Sequence, residues 1–312
     1  MCGSGGRFSP YVSGQVTPQI NDAKRRTEAS DYERKVEENI RQHLREENDR
    51  DPAALAQRNE RLAEVTGTIE DYLDESVSTL FGGSVSRRTD VQGISDVDAL
   101  MLLDETRFAT ENPQDLLREF EDLLRSSLPN SVVVERGPLA VTLTYEDGLE
   151  LQLLPALRTS TGVRIAASEG DGWSNVIHPD RFARRLTEVN QSNNNRVVPV
   201  IKIVRQMVEQ FAPDSKPRGH HIEALAIEAF QGYQGELTTK PMVEHLIQAA
   251  ASRVISPIVD RTGQSNYLDG YLEGRDSGAR QRLAGELARL ASRLQSANED
   301  LSVQGWMGAL DE

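Results

Sequence analysis

Apolar residues recur every four positions in the charged stretch after Ala23, where Tyr32, Val36, Ile40 and Leu44 line up on one edge. The spacing predicts a long helix with a narrow apolar stripe that needs a partner surface. The back of the sheet lobe and a second copy of the chain would each meet that need, and the sequence does not choose between them. The polar run from Asn48 to Pro52 breaks the pattern. Asp51 is suited to cap, and Pro52 to enter, a second long helix predicted to continue through Leu80.

Strand signals come next. The stretch SDVDALMLLD, Ser95 to Asp104, reads as a strand. Two more, PLAVTLTYEDG and LELQLLPAL, are joined by a turn at Asp147-Gly148. Asn112-Pro113 opens an amphipathic helix through Leu128, and beyond Pro179 the pattern is helical almost to the end. Strands early and helices late predict an α+β chain: a mixed-sheet lobe, then a helical lobe, joined near residues 170–195. The expected division is a flexible segment over 1–22, the N-terminal helices and sheet lobe over 23–178, and the helical lobe over 179–312.

Composition then narrows the function. A formal charge of −14 over 312 residues counts against a protein that coats DNA or RNA, although an acidic body can still carry a local basic cleft. No apolar run reaches the roughly 18 residues of a membrane span. The N-terminus lacks the basic-then-apolar layout of a secretory signal, so a cytoplasmic protein is expected. Cys2 is the only cysteine, which excludes an internal disulfide and a cysteine-based zinc site.

The chemistry concentrates between Phe81 and Asp104. Alternate side chains of a strand share a face roughly 6.5–7 Å apart, so Asp96 and Asp98 project together while Val97 and Ala99 turn toward the core. Two carboxylates so placed repel each other unless a cation lies between them. Magnesium suits that role and can also hold nucleotide phosphates. Upstream, Gly83 lets backbone N–H groups approach a triphosphate, and Ser84 offers a hydroxyl donor. An Asp-x-Asp pair alone is more often a solvated strand end. Joined to Gly-Ser at this spacing, it points to nucleotidyl transfer.

Basic residues supply further candidates. Lys202 and Arg205, three apart on one helical face, are placed to meet a triphosphate from the helical lobe. Arg87 and Arg88 follow the Gly-Ser turn closely enough to reach phosphate. Arg181, Arg184 and Arg185 also share a face, where a salt-bridged surface patch is the better reading. The loop Thr262–Tyr267 suits base recognition and a structural turn equally well, and Trp173 suits either a cleft or the core. His220-His221 has no metal-ligand spacing to other residues and reads as capping and packing.

Gly83-Ser84, a short helical segment and Asp96-x-Asp98 on a strand together resemble the DNA polymerase β-type nucleotidyltransferase superfamily. That resemblance implies a two-lobed fold, with a mixed-sheet catalytic lobe and a helical C-terminal lobe. A narrower resemblance runs from about residue 60 to 300, through GGSVSRRTDVQGISDVDALM, LELQLLPAL, GWSNVIHP, VVPVIKIVRQM, GHHIEALAIEAF and PIVDRTGQSNYLDGYL. These segments are similar to those of bacterial cGAS/DncV-like nucleotidyltransferases, the oligonucleotide cyclases of CBASS anti-phage operons. The implied activity joins ATP or other nucleoside triphosphates into a cyclic di- or trinucleotide second messenger, which acts on a separate effector protein. Two Mg²⁺ (or Mn²⁺) ions are then expected between Asp96, Asp98 and a third acid.

At that third acid the sequence departs from the family. Members commonly carry an aspartate three residues before the proline that ends the strand, where this chain has Gln152. An amide can coordinate through its oxygen, but it adds no negative charge and takes no proton from an attacking hydroxyl. Glu150, two residues earlier and so on the same face, is the favoured substitute ligand and base, with Gln152 as the alternative. A linear RNA- or protein-directed nucleotidyltransferase and a nucleotide-binding pseudoenzyme remain as competing readings. Base identity, ring size and dependence on a regulatory partner are not encoded in these motifs.

Overall fold

The computed structural model describes residues 16–48, 52–74, 77–81, 83–91, 97–167, 172–260 and 267–311. Two helices, α1 (Val16–Asn48) and α2 (Pro52–Leu73), lead into β1 (Ser78–Phe81), α3 (Gly83–Arg87) and β2 (Val97–Asp104). Helix α1 thus begins inside the segment expected to be flexible. The end of the second predicted helix is also corrected: Ser78–Phe81 pairs antiparallel with β2, Ser78 opposite Leu102 and Phe81 opposite Ala99. The competing force is tertiary, because pairing along β2 satisfies backbone groups on both strands, which local propensity does not weigh.

The rest of the sheet lobe comprises α4 (Glu105–Phe108), α5 (Pro113–Ser127), β3 (Val133–Arg136), β4 (Val141–Thr144), β5 (Glu150–Arg158) and β6 (Val163–Ile165). Its centre is the parallel pair β2 and β5, in register from Val97 opposite Leu151 to Asp104 opposite Arg158. Along the other edge of β5, β4 takes the first half and β6 the second, both antiparallel, with β3 outside β4. The turn between β4 and β5 has Gly148 at φ 82°, the left-handed geometry expected of Asp147-Gly148. Helix α5 starts as its sequence requires: the Asn112 side chain accepts from Gln114 N, and Pro113 enters the first turn.

Strand alternation gives the sheet two faces. Val97, Ala99, Met101, Leu103, Leu151, Leu153 and Leu157 pack with α2 and α5 into one core. Leu100 and Ala156 meet Val163, Ile165 and Ile177 on the opposite face. Asp98, Glu150 and Gln152 have the parity of that second face, near the beginning of both central strands.

The other lobe is built on α6 (Pro179–Ser192), α7 (Val197–Glu209), α8 (Gly219–Phe230), α9 (Thr239–Arg253), α10 (Gly278–Glu299) and α11 (Val303–Asp311). Tyr32, Val36 and Ile40 of α1 belong to this helical core, together with Ile203, Phe230, Leu246, Leu287 and Trp306. The apolar stripe of α1 therefore closes on the helical lobe and not, as expected, on the back of the sheet lobe or on a second copy, because its apolar edge completes the helical core, whereas α2 serves the sheet. Among the described residues, no helix is long and apolar enough to cross a membrane.

A buried carboxylate fixes α1 in place. Glu37 accepts from Thr239 N at 2.9 Å and from Lys240 N at 3.0 Å, capping α9 at an end whose own N-cap residue, Thr238, makes no side-chain capping bond. We expect Glu37→Ala to cost about 1–2 kcal/mol in urea unfolding, the usual value of a lost cap. An unchanged midpoint would show that α1 is not held this way.

Candidate active site

The Gly-Ser turn opens α3, which packs against β2. Just past this short helix Arg88 has a left-handed φ of 59°, so the chain doubles back and Thr89 N donates to Ser84 O at 3.0 Å. Ser84 and Thr89 are both buried. Thr89 is held from three sides. Its N–H is on the turn, its carbonyl accepts from Arg205 Nη1 at 2.9 Å, and its hydroxyl donates to Glu223 Oε1.

Glu223 is the centre of this arrangement. It is a fully buried carboxylate on α8, an apolar helix of the other lobe. Arg87, the last residue of α3, donates to its Oε2 from Nε at 2.8 Å and approaches from Nη2 at 2.7 Å. His220 Nδ1 stands 3.5 Å from the same oxygen. Burial alone would raise the carboxyl, but hydrogen bonds and charge from His220 and Arg87 hold it down, to about 2. Phe182 of α6 completes the cluster, with its ring 4.1 Å from that of His220 and 5.3 Å beneath the Arg87 guanidinium.

Asp98 lies in the field of these groups. Burial raises its carboxyl above the ordinary range; Arg87 opposes the rise, Glu223 adds to it, and Arg205 and His220 oppose it again. Its lateral partner in the parallel register is Gln152, while Glu150 sits two residues back on the same face, opposite Thr144. Adjacent strands run about 4.8 Å apart, so the Asp98 carboxylate and the Gln152 amide are immediate neighbours.

The structure sorts the remaining sequence candidates. Asp96 and the loop residues Thr262–Asn266 lie outside the described residues. Gly83 and Ser84 open α3, Arg87 is ion-paired with Glu223, and Arg88 is exposed. Lys202 and Arg205 are both buried on α7. Arg205 is committed to Thr89 and lies so close over Gly219 that a Cβ there would come within 2.7 Å of its guanidinium. Arg184 and Arg185 form exposed pairs with Asp180 and Glu188, as a surface patch should. Trp173 packs against the sheet core and donates to Glu111 O at 2.9 Å. His221 is buried beside Tyr271, and burial lowers it to about 4. Sequence reasoning missed Thr89 and Glu223. The available signal was Glu223 itself, a lone acid inside IEALAI, where a helix apolar on every face must bury its charge against a partner.

Among the described residues, no three His, Cys, Asp or Glu side chains form a cluster that could hold a metal ion. The donors that the sheet does bring together, Asp98, Gln152 and Glu150, are all oxygens. That set suits hard divalent cations such as Mg²⁺ or Mn²⁺ and not zinc or copper. The burial-raised carboxyl of Asp98 also marks a place where a cation would offset the cost of a desolvated negative charge.

No family model and no curated protein matches the chain. Solved structures do. Escherichia coli DncV in its 3′-deoxy GTP bound form aligns with a TM-score of 0.64 at 13% identity, over 97% of this chain and 94% of that one. E. coli CdnC with ATP aligns at 0.61 and 15%, over 84% and 93%. The Elizabethkingia meningoseptica CdnE cyclic dinucleotide synthase with GTP and Apcpp aligns at 0.57 and 18%, over 76% and 91%. The two-lobed α+β architecture of this protein is the polymerase β-like nucleotidyltransferase fold of those structures.

Proposed function

We propose that this protein is a nucleotidyltransferase of the cGAS/DncV-like class, which joins ATP or other nucleoside triphosphates into a cyclic di- or trinucleotide. The observation that carries this reading is the placement of Asp98. It sits at the start of a central strand, on the sheet face away from the α2–α5 core, beside Gln152 and Glu150 and in the field of Arg87 and Arg205. The shared fold supports the class, and the nucleotides in the solved relatives support the substrate type. In this reading the product is a second messenger of CBASS anti-phage signalling that acts on a separate effector.

Transfer requires a 3′-hydroxyl oxygen to attack an α-phosphorus while the bond to pyrophosphate breaks. The Gly83–Ser84 turn orients the triphosphate through backbone N–H groups and the serine hydroxyl. Asp98 and Glu150, with Asp96 as the further acid, are the residues that would hold two divalent ions, and Gln152 contributes at most an amide oxygen. When bound, such ions lower the pKa of the attacking hydroxyl and neutralise the leaving pyrophosphate. The Glu150 carboxylate is the acceptor for the hydroxyl proton.

Purified protein incubated with labelled ATP, GTP, CTP and UTP plus Mg²⁺ or Mn²⁺ should yield a small phosphatase-resistant nucleotide. A phosphatase-sensitive ladder would favour linear transfer, and labelled polypeptide would favour protein modification. Gln152 opposite Asp98 motivates the pseudoenzyme reading, which nucleotide binding without any product would support. Glu150→Ala is expected to reduce product formation more than Gln152→Ala, by roughly tenfold or more. Equal or reversed losses would show that Glu150 is not the third ligand.

A further inference from the structure

We propose that Glu223 is a positioning residue: from the helical lobe it sets the Gly83–Ser84 turn of the sheet lobe, using Thr89 as the pin. This rests on the nucleotidyltransferase reading for what the turn binds, but the pin itself is a matter of geometry. Glu223 is 0% exposed, and among the described residues it is bonded beyond its own helix by Arg87 and Thr89, 136 and 134 residues away. Both belong to the segment that follows the turn. Thr89 passes the constraint on directly, because its backbone N–H is bonded to Ser84 O. Arg205 reinforces it by holding the Thr89 carbonyl.

A packing role alone does not account for this carboxylate. Apart from His221, the other buried side chains of helix α8 are apolar, and a leucine of similar volume would fill the space of Glu223 without the penalty of burying a charge. A buried ion pair contributes little net stability, yet its short, directional bonds admit only one arrangement of the groups around it. Here that arrangement fixes where α3 ends, how the chain doubles back at Arg88, and hence where Gly83 and Ser84 lie relative to Asp98. The turn is then set for phosphate only while the lobes are docked as in this structure. Arg87 and Arg205, legible in the sequence as phosphate contacts, act first as parts of this joint.

The test uses the full-length protein and a hydroxyl-for-methyl exchange that leaves the fold intact. Thr89→Val removes the hydroxyl donor to Glu223, together with its longer contact to Ser84 O at 3.4 Å, but keeps the shape and the backbone bonds, whereas Thr89→Ser keeps both, and Glu223→Gln isolates the carboxylate's part. Glu223→Gln keeps an acceptor without the charge. Amide exchange over residues 83–91 should accelerate in Thr89→Val and Glu223→Gln and stay near wild type in Thr89→Ser, with α8 unchanged in all three. Steady-state kinetics should show KM for the triphosphate raised about tenfold or more in Thr89→Val, the scale of one bond to a charged group, with kcat altered less, and restored in Thr89→Ser. Unchanged exchange over 83–91 overturns the pin. Faster exchange with an unchanged KM overturns its role in substrate positioning. A wild-type protein that binds no nucleotide at all overturns the functional reading and, with it, the substrate half of this inference, while the exchange result still decides whether Glu223 holds the turn.

Discussion

Asp98→Asn should lower nucleotidyl transfer by about a thousandfold or more and leave the fold at least as stable as before. The two halves of this expectation come from one fact. Burial lifts the Asp98 carboxyl above its ordinary range, so the charged form is disfavoured in the folded chain relative to the unfolded one. For a folded-state pKa raised in this way, the cost to folding is present at neutral pH and disappears as pH falls below the ordinary carboxylate value. Asparagine removes the charge and with it that cost, at nearly constant shape. In metal-free protein at pH 7, the melting temperature of the variant should equal or exceed that of wild type, and the difference should close in acid. Rate assays and thermal melts on the same preparations check both. A variant that loses activity and stability together would make Asp98 a structural residue, and one that retains activity would remove it from the chemistry.

The second large effect lies in the helical lobe. Arg280→Ala is expected to cost about 3–5 kcal/mol, the range for breaking a buried ion pair from one side. Arg280 is completely buried near the start of α10. It donates to Asp269 Oδ2 at 2.6 Å, Val254 O at 2.9 Å, Glu273 O at 3.0 Å and Gly274 O at 3.1 Å. Asp269 also accepts from Ile258 N at 2.9 Å, so the pair ties residues 254–258 and 269–274 to the start of α10. Without the guanidinium, a buried carboxylate would remain beside His221, which burial keeps neutral at pH 7. Arg280→Lys should recover only part of the loss, since an ammonium cannot reach four acceptors from one plane. Removing both charges, as Asp269→Leu with Arg280→Met, should cost less than Arg280→Ala alone. Urea unfolding followed by circular dichroism measures all three. A loss below about 1 kcal/mol for Arg280→Ala would show that this network does not hold the lobe together.

Local periodicity made some of this molecule legible in its sequence. The Asn112-Pro113 start of α5, the alternation of β2 and β5, and the turn at Gly148 each follow from neighbouring residues alone. Strand β1 did not, because its four residues continue the helix-compatible run of α2 and become a strand only through pairing with β2. The destination of α1 was equally hidden: Tyr32, Val36 and Ile40 announce an apolar edge but not which core receives it. Gly83, Ser84 and Asp98 were singled out from residue type and spacing. The partners of Arg87 and Arg205 were not legible, since Glu223 and Thr89 lie more than a hundred residues away from them in the chain. The sheet register adds what spacing could not: Gln152 is the direct lateral neighbour of Asp98, and Glu150 is one pair further along.

Anomalous scattering from crystals grown with Mn²⁺ and a non-hydrolysable nucleoside triphosphate reaches the core of the matter. Manganese density should lie against the Asp98 carboxylate, on the sheet face shared with Glu150, with the phosphate chain running to the Gly83–Ser84 turn. Density that leaves Asp98 bare, with the nucleotide settled instead in the cavity of about 490 Å³ lined by Lys216, Arg218 and Tyr271, would contradict the assignment of this face to nucleotidyl transfer.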